Sequence, residues 1–284
     1  MASVKKITMR EYNGTDYDTL YPKTIASQVD GVYNKTEINT LLANKIDVSA
    51  GAGAHNSIYR GKSLGSSVTS AQYAAISAGT FDDLYIGDYW TINGINYRIA
   101  AFDYYLTTGD GSNICETHHV TLVPDSSMYT HAMNDSNATT GAYAGSKMYK
   151  TGLNQAKTTI NAAFGEGHIL NHRQRLDNAV TGNYVSGGSW YDSTVELMTE
   201  QNLYGGKVFG NYQTNTQFPA QYTVDKSQYP LFAFRPDMIT NRNVFWLRDV
   251  VSSSQFAVGS DDGLTSFFTA SQPFGVRPAF SIKA

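Results

Sequence analysis

Residues 244–280 read VFWLRDVVSSSQFAVGSDDGLTSFFTASQPFGVRPAF. The stretch opens on a short apolar run ending in Trp246-Leu247-Arg248 and closes on Phe274-Gly275-Val276-Arg277-Pro278-Ala279-Phe280. The first end reads as a short strand. The middle, about 25 residues, is rich in Ser, Asp, Gln, Phe, Thr and Gly. The ends therefore read as framework and the middle as surface. Phe256, Phe267 and Phe268 among small polar residues suit a contact patch, while at least one of them is expected to alternate into the core of a last hairpin.

Upstream, Tyr85–Ile92 and Ile95–Ala100 are β-rich runs joined by Asn93-Gly94, the strongest short hairpin signal. A further strand covers His119–Val123 and stops at Pro124. Thr69-Ser70 starts a short helix that ends at Gly79, where a left-handed cap is favoured. Between Ser146 and Val180 the apolar spacing predicts two helices, one on Leu153, Ala156, Ile160, Ala163 and Phe164, the other on Ile169, Leu170, Arg173, Leu176 and Val180. Short strands are expected at 231–234, 244–247 and 256–258. The whole reads as a mixed α+β domain over 68–284 with many loops.

Residues 48–67 are rich in Gly, Ala and Ser and read as a flexible or extended linker. Before them, Asn34 with Glu37 three residues later resembles a reciprocal cap for a helix over 34–47. Its Ile38, Leu41, Leu42 and Ile46 share a stripe too short to be stable alone in water. Two arrangements satisfy it: packing on its own copies about a symmetry axis, or lying on its own globular domain. Residues 1–33 alternate short apolar and polar runs around Asn13-Gly14 and Tyr21-Pro22, and need a partner surface.

Composition narrows the function. Of 284 residues only 16% are charged, against about 25% in a usual soluble domain, while Tyr 20 and Gly 25 join abundant Ser, Thr and Asn. The same palette serves antibody-type binding loops. A net charge of −3 without a Lys/Arg stripe leaves no footprint for nucleic acid. No run approaches 18 apolar residues and the N-terminus lacks the apolar stretch of a signal peptide, so neither membrane insertion nor classical export is expected. The single Cys115 cannot close an internal disulfide and is expected as a buried or half-buried thiol.

Catalytic patterns are incomplete. Cys115, His118 and His119 lie close together, and His168 and His172 would share a helix face, but neither set supplies a full metal-ligand group with its supporting shell. In H-I-L-N-H the position of a zinc-protease glutamate is Ile169. No G-x-S-x-G elbow occurs. Asp82-Asp83 and Asp261-Asp262 could serve a glycosidase, yet adjacent residues point apart on a strand, and Asp261-Asp262-Gly263 is first a turn. Calcium ligation by that turn is the open alternative, without the alternating acidic pattern of a dedicated loop. No cofactor and no metal are expected.

W-L-R-D-V-V (246–251) and G-V-R-P-A-F (275–280), with Y-I-G-D-Y-W-T-I-N-G, H-H-V-T-L-V-P-D, M-N-D-S-N-A-T-T-G-A-Y and W-Y-D-S-T-V-E-L, resemble the C-terminal domain of tail-fibre or receptor-binding proteins of phages that infect gut bacteria. The resemblance covers 58–284. N-terminal Y-D-T-L-Y-P-K-T and Y-N-K-T-E-I-N-T-L-L-A-N-K are similar to the virion-attachment and trimerising segments of those proteins.

The resemblance implies a C-type-lectin-like or formylglycine-enzyme-like fold used for binding, without catalytic machinery. It implies a virion location, a homotrimer, attachment to tail or baseplate proteins through 1–33, and a host cell-surface receptor, protein or glycan. In some members the stretch between the two frame motifs is the target of a diversity-generating retroelement. The matching positions here are Ser252, Ser253, Ser254, Gln255, Phe256, Val258, Ser260, Asp261, Asp262, Thr265, Phe267, Phe268, Thr269 and Gln272. Trp246, Arg248, Arg277 and Pro278 are then scaffold, with the Arg277 fork holding loop carbonyls or a carboxylate. The lone Cys115 departs from animal lectins, so calcium-dependent sugar binding does not carry over. Two other readings stand beside this one: a polysaccharide depolymerase or glycosidase on the same scaffold, and a bacterial surface-display protein, which the missing export signal disfavours.

Overall fold

The computed structural model describes residues 9–12, 14–15, 17–20, 51–210, 227–240 and 242–284. The chain divides into two units, Met1–Asp47 and Val48–Ala284. In the first, β1 (Met9–Tyr12) pairs antiparallel with β2 (Tyr17–Leu20). The helix expected at 34–47, and the rest of the segment expected at 1–33, lie outside the described residues.

The second unit is mixed α+β, with two five-stranded sheets and a two-stranded ribbon. Sheet A has the order β3 (Tyr89–Ile92), β4 (Ile95–Phe102), β5 (Val120–Pro124), β14 (Pro278–Ile282) and β9 (Val195–Leu197), all antiparallel. Sheet B has the order β12 (Thr265–Thr269), β11 (Gln255–Gly259), β10 (Phe245–Val250), β13 (Phe274–Val276) and β6 (Tyr129–His131), with β10 and β13 parallel. The ribbon is β7 (His172–Thr181) with β8 (Tyr184–Ser193).

Local sequence explains several of these elements. Asn93 and Gly94 take φ of 50° and 79°, which gives β3 and β4 the two-residue turn that matches strand twist. Helix α2 (Ser70–Ala78) follows the short α1 (Ala52–His55); Thr69 and Gln72 close a reciprocal cap at its start and Gly79, φ 68°, ends it. After α3 (Ala142–Gly145), α4 (Asn154–Phe164) buries Ala156, Ile160 and Phe164, one stripe at helical spacing. Strand β10 is buried along its whole length because it lies between β11 and β13 with a core on each face. Phe245, Leu247 and Ala257 join the core that includes Tyr97, Leu122 and Phe280. Trp246, Val250, Phe256 and Val258 join a second core with Tyr143, Met148 and Val276.

Three expectations are corrected. The second helix, on Ile169 to Val180, is instead the strand β7, where His172, Gln174 and Leu176 are the buried positions. Its period of two is carried by polar residues, so apolar spacing alone mistakes it for a helix. The strand expected at 231–234 is helix α6 (Pro230–Phe234), with α5 (Glu200–Tyr204) before it; Pro230 occupies the first helical position, where its fixed φ and missing N–H are tolerated.

The third correction concerns 48–67. Over 51–67 the chain is not a free linker but a strap on the domain. His55 is buried with Nδ1 2.6 Å from the Leu84 carbonyl, and Tyr59 and Ser63 form parallel bridges to Ile86 and Tyr89. The fastening point is Asp88, whose buried carboxylate accepts from Arg60 Nη2 at 2.6 Å, Lys62 N at 2.8 Å and Tyr85 N at 2.9 Å. Small residues in the strap let it lie flat against the sheet edge, which composition cannot distinguish from flexibility.

Removing the buried carboxylate leaves the backbone N–H groups of Lys62 and Tyr85 unsatisfied, at a combined cost of about 3 kcal/mol. Asp88→Ala is expected to lower Tm by roughly 6–12 °C and to open residues 56–66 to protease. Unchanged Tm with unchanged cleavage would show that the strap is held elsewhere.

Candidate functional site

The hairpin β11–β12 carries most of the stretch expected to form a contact surface, and its frame is fixed from below. Arg277 is the single residue between β13 of sheet B and β14 of sheet A. It is 1% exposed; its Nε donates to the Pro124 carbonyl at 2.9 Å, and Nη1 donates to the carbonyls of Met238 at 3.0 Å and Ile239 at 3.3 Å. The rings of Phe232 and Phe245 lie 5.5 and 5.3 Å from the guanidinium. Burial pushes its pKa down to about 10. This is the carbonyl-holding role expected for the fork. Trp246 Nε1 donates to the His131 carbonyl at 2.9 Å, which ties β10 to β6 across β13. Arg248 N donates to the Met198 carbonyl at 3.0 Å and its guanidinium donates to Gln174 Oε1. Pro278 is buried and lies opposite Leu197.

The fourteen contact candidates are not one patch. Ser252, Ser253, Ser254, Gln255, Thr269 and Gln272 gather at one end of the hairpin; Ser260, Asp261, Asp262 and Thr265 sit at the other. Strands of five residues set these ends about 17 Å apart. Phe256 and Val258 are fully buried on the Trp246 face of sheet B, so their assignment as contact residues is corrected. Register explains it: Val258 lies opposite Trp246 and Phe256 opposite Val250, in the middle of a covered sheet. Phe267 and Phe268 lie on the edge strand, each 38% exposed. Phe268 packs 4.7 Å from Phe274 and Phe267 5.0 Å from Phe209.

Each end is completed by residues that the linear stretch does not contain. At the serine end, Thr139 N and Oγ1 donate to the carbonyls of Ser253 and Ser252 at 3.0 and 2.8 Å. Ser253 Oγ donates to Asn183 Oδ1 at 3.1 Å, and Ser271 Oγ to Asn137 Oδ1 at 2.6 Å. The surface there joins loop 134–140 and the tip of the β7–β8 ribbon to the hairpin. Asn137 and Thr139 stand within the M-N-D-S-N-A-T-T-G-A-Y motif, which was the available signal. At the far end, buried Glu200 accepts from the backbone N–H groups of Val208, Phe209 and Gly210 at 3.0, 3.1 and 2.7 Å and from Thr265 Oγ1 at 2.6 Å. One carboxylate thus holds both the loop bearing Phe209 and the start of β12. A Cβ on Gly210 would lie 2.7 Å from Asp249 Cβ, so this approach requires glycine.

The other chemical candidates are engaged structurally. Leu264 N donates to Asp262 Oδ1 at 3.0 Å and Ser260 Oγ to Asp261 Oδ1 at 3.1 Å, the self-bonding of a turn. Asp83 pairs with Arg60 and Lys62, while Asp82 accepts from Thr80 Oγ1 at 2.9 Å. Cys115 is buried, which pushes its thiol pKa up, and its Sγ lies 3.7 Å from the Thr117 carbonyl. His118 Nδ1 is 2.7 Å from Asp103; His119 Nε2 accepts from Tyr105 N at 3.0 Å. His168 lies in a short 3-10 turn and His172 in β7, so the two do not share a helix face. Among the described residues no group of three or more His, Cys, Asp or Glu is placed to hold a metal, and no helix is long and apolar enough to cross a membrane.

No protein-family profile, curated protein or solved structure matches this chain.

His172 supports the frame through Gln174, whose Nε2 lies 3.0 Å from His172 Nε2 while its Oε1 accepts from Arg248. Burial, then the nearby His119 and Arg248, push the His172 pKa from 6.5 to about 3. Above pH 6.5 both folded and unfolded imidazoles are neutral; as pH falls, the unfolded chain takes up a proton that the native state refuses until about pH 3. Stability is therefore lost across that window, and His172→Asn is expected to flatten the loss in urea unfolding at stepped pH. Parallel pH dependence in both proteins would contradict it.

Proposed function

We propose that this protein is a phage tail-fibre receptor-binding protein, which attaches the virion to the host cell surface through the unit 48–284. In this reading the unit is a C-type-lectin-like domain, residues 1–33 attach to tail or baseplate proteins, and 34–47 hold three copies together. Support comes from the frame motifs and their order, and from the mixed α+β architecture that pins W-L-R and G-V-R-P-A-F at the base of one hairpin.

The observation that carries the proposal is the exposure of Phe267 and Phe268 on opposite faces of an edge strand whose neighbours from 264 to 276 bear no charge. Aromatic side chains lose large area to water, and a folded chain that gains nothing from them tends to cover them or guard the edge with charge. A rigid hairpin that presents aromatics between turns of serine, aspartate and glutamine suits contact with a partner. Three copies would multiply weak single contacts into stable adhesion. The competing glycosidase reading rests on the exposed pairs Asp82-Asp83 and Asp261-Asp262, which are engaged by Thr80, Arg60 and Lys62 in the first case and by Ser260 and the Leu264 N–H in the second.

Adsorption of the purified full chain to a panel of gut bacterial strains tests the proposal. Phe267→Ser with Phe268→Ser is expected to reduce adsorption about tenfold or more, in line with aromatic anchors of interfaces, while the thermal transition stays within a few degrees. Equal adsorption by the variant, or release of sugar from the cells by the native chain, would overturn it.

A further inference from the structure

Beside the serine end of the hairpin lies an open groove of about 530 Å³, lined by Asp135, Ser136, Thr140, Lys147, Lys150 and Thr151 among others. Its walls are unusual backbone. On one side the chain makes a π-turn over Met148–Gly152, closed by Leu153 N donating to the Met148 carbonyl at 2.9 Å. The π-turn is pinned by Tyr129, whose hydroxyl donates to the Gly152 carbonyl at 2.7 Å. On the other side, behind the lining residues Thr140 and Gly145, Gly141 and the fully buried Ala142 have φ of 76° and 49°. A Cβ on Gly141 would stand 2.9 Å from Gly145 Cα, so this wall is backbone against backbone. Single π-turns and left-handed non-glycine residues cost energy and gather where a site needs a special shape.

The polar groups define what fits. Lys147 is paired with Asp135, whereas Lys150 is exposed and makes no ion pair among the described residues. The groove thus offers one uncommitted ammonium, one carboxylate that can still accept hydrogen bonds, and the hydroxyls of Ser136 and Thr140. No aromatic side chain is among its lining residues. A phosphate would leave the Asp135 carboxylate without a donor, and an apolar ligand would leave the Lys150 ammonium without an acceptor. A ligand with one carboxylate and several hydroxyl donors satisfies both signs of charge. The volume is in the range of small-molecule sites.

The geometry points to this groove as a binding site for an acidic sugar, the carboxylate of a uronic acid against Lys150 and its hydroxyls on Asp135. Continuity supports the placement: Asn134 N donates to the Ala270 carbonyl at 2.9 Å, and Thr139 bonds Ser252 and Ser253, so the groove and the serine end form one surface. The assignment to host glycan rests on the receptor-binding reading.

Calorimetric titration of the full chain tests it with three probes: a tetrasaccharide of alternating glucuronic acid and N-acetylglucosamine, the same tetrasaccharide with its carboxylates reduced to alcohols, and inorganic phosphate. The acidic tetrasaccharide is expected to bind, the reduced one to bind about tenfold more weakly, and Lys150→Gln to show a loss of about the same size. Absence of binding, equal binding of the reduced probe, equal binding of phosphate, or indifference to Lys150→Gln would each overturn the groove. Cell adsorption separates the two proposals. Native adsorption without tetrasaccharide binding removes the groove alone, and tetrasaccharide binding without adsorption removes the receptor reading alone.

Discussion

Arg277 sits where the chain passes from one sheet to the other, and the arrangement of the domain depends on what it holds. The passages from β5 to β6 and from β13 to β14 are two of the four places where the chain crosses between sheets A and B. A single guanidinium bonds the carbonyl at the end of β5 from the middle of the other crossing, and takes two more carbonyls from the turn after α6. Burying a cation costs several kcal/mol, and the downward shift of its pKa records that cost. Three carbonyls and two flanking rings offset it, in a geometry that a lysine could not reproduce. The charge thereby ties the end of β5 and the turn after α6 to the junction of β13, the parallel neighbour of β10, with β14.

Around this corner the molecule separates support from display. Trp246, Arg248, Phe256 and Val258 are interior, and each connects the hairpin to another element or to the core beneath. Within the β11–β12 hairpin, the polar and aromatic side chains that remain outside sit on its turns and on the edge strand β12. Two buried acids extend the same logic to the surroundings. Asp88 draws residues 51–67 onto the domain, and Glu200 joins the loop of Phe209 to the start of β12. In both cases a fully buried carboxylate collects backbone N–H groups and a partner distant in sequence, Arg60 for Asp88 and the Thr265 hydroxyl for Glu200, which removes the freedom of the loops it holds.

Much of the frame was legible in the sequence because its signals are local. Asn93-Gly94 specified a turn, Thr69-Ser70 and Gly79 bounded a helix, and the apolar run near 246 announced a strand. The scaffold role of Trp246, Arg248 and Arg277 was implied by the resemblance that the two frame motifs carry. What escaped reading was long-range. The ribbon β7–β8 buries His172 and Gln174 because Arg248 waits for them, and a polar residue with a distant partner looks the same as a solvated one. Phe256 could not be told from Phe267 by composition, since only strand order decides that β11 is interior and β12 an edge. The split of one linear stretch into two surfaces, each completed by Thr139, Asn183 or Glu200, likewise belongs to topology.

The charge deficit of the chain acquires a place in this arrangement. Of the few charges present, several are buried at corners and straps, while the hairpin edge from 264 to 276 has none. Contacts made there would depend little on ionic strength. The central claim is that frame and face are separable, and one measurement addresses it directly. In the full chain, Ser252, Ser253, Gln255, Asp261, Asp262, Phe267, Phe268 and Gln272 are replaced together by other residues, with Phe256, Val258 and Arg277 retained, and the thermal transition is recorded. The account predicts a single cooperative transition within about 5 °C of the native one, a change near 1–2 kcal/mol. Loss of cooperative unfolding, or a fall as large as that produced by changing Phe256 alone, would contradict it.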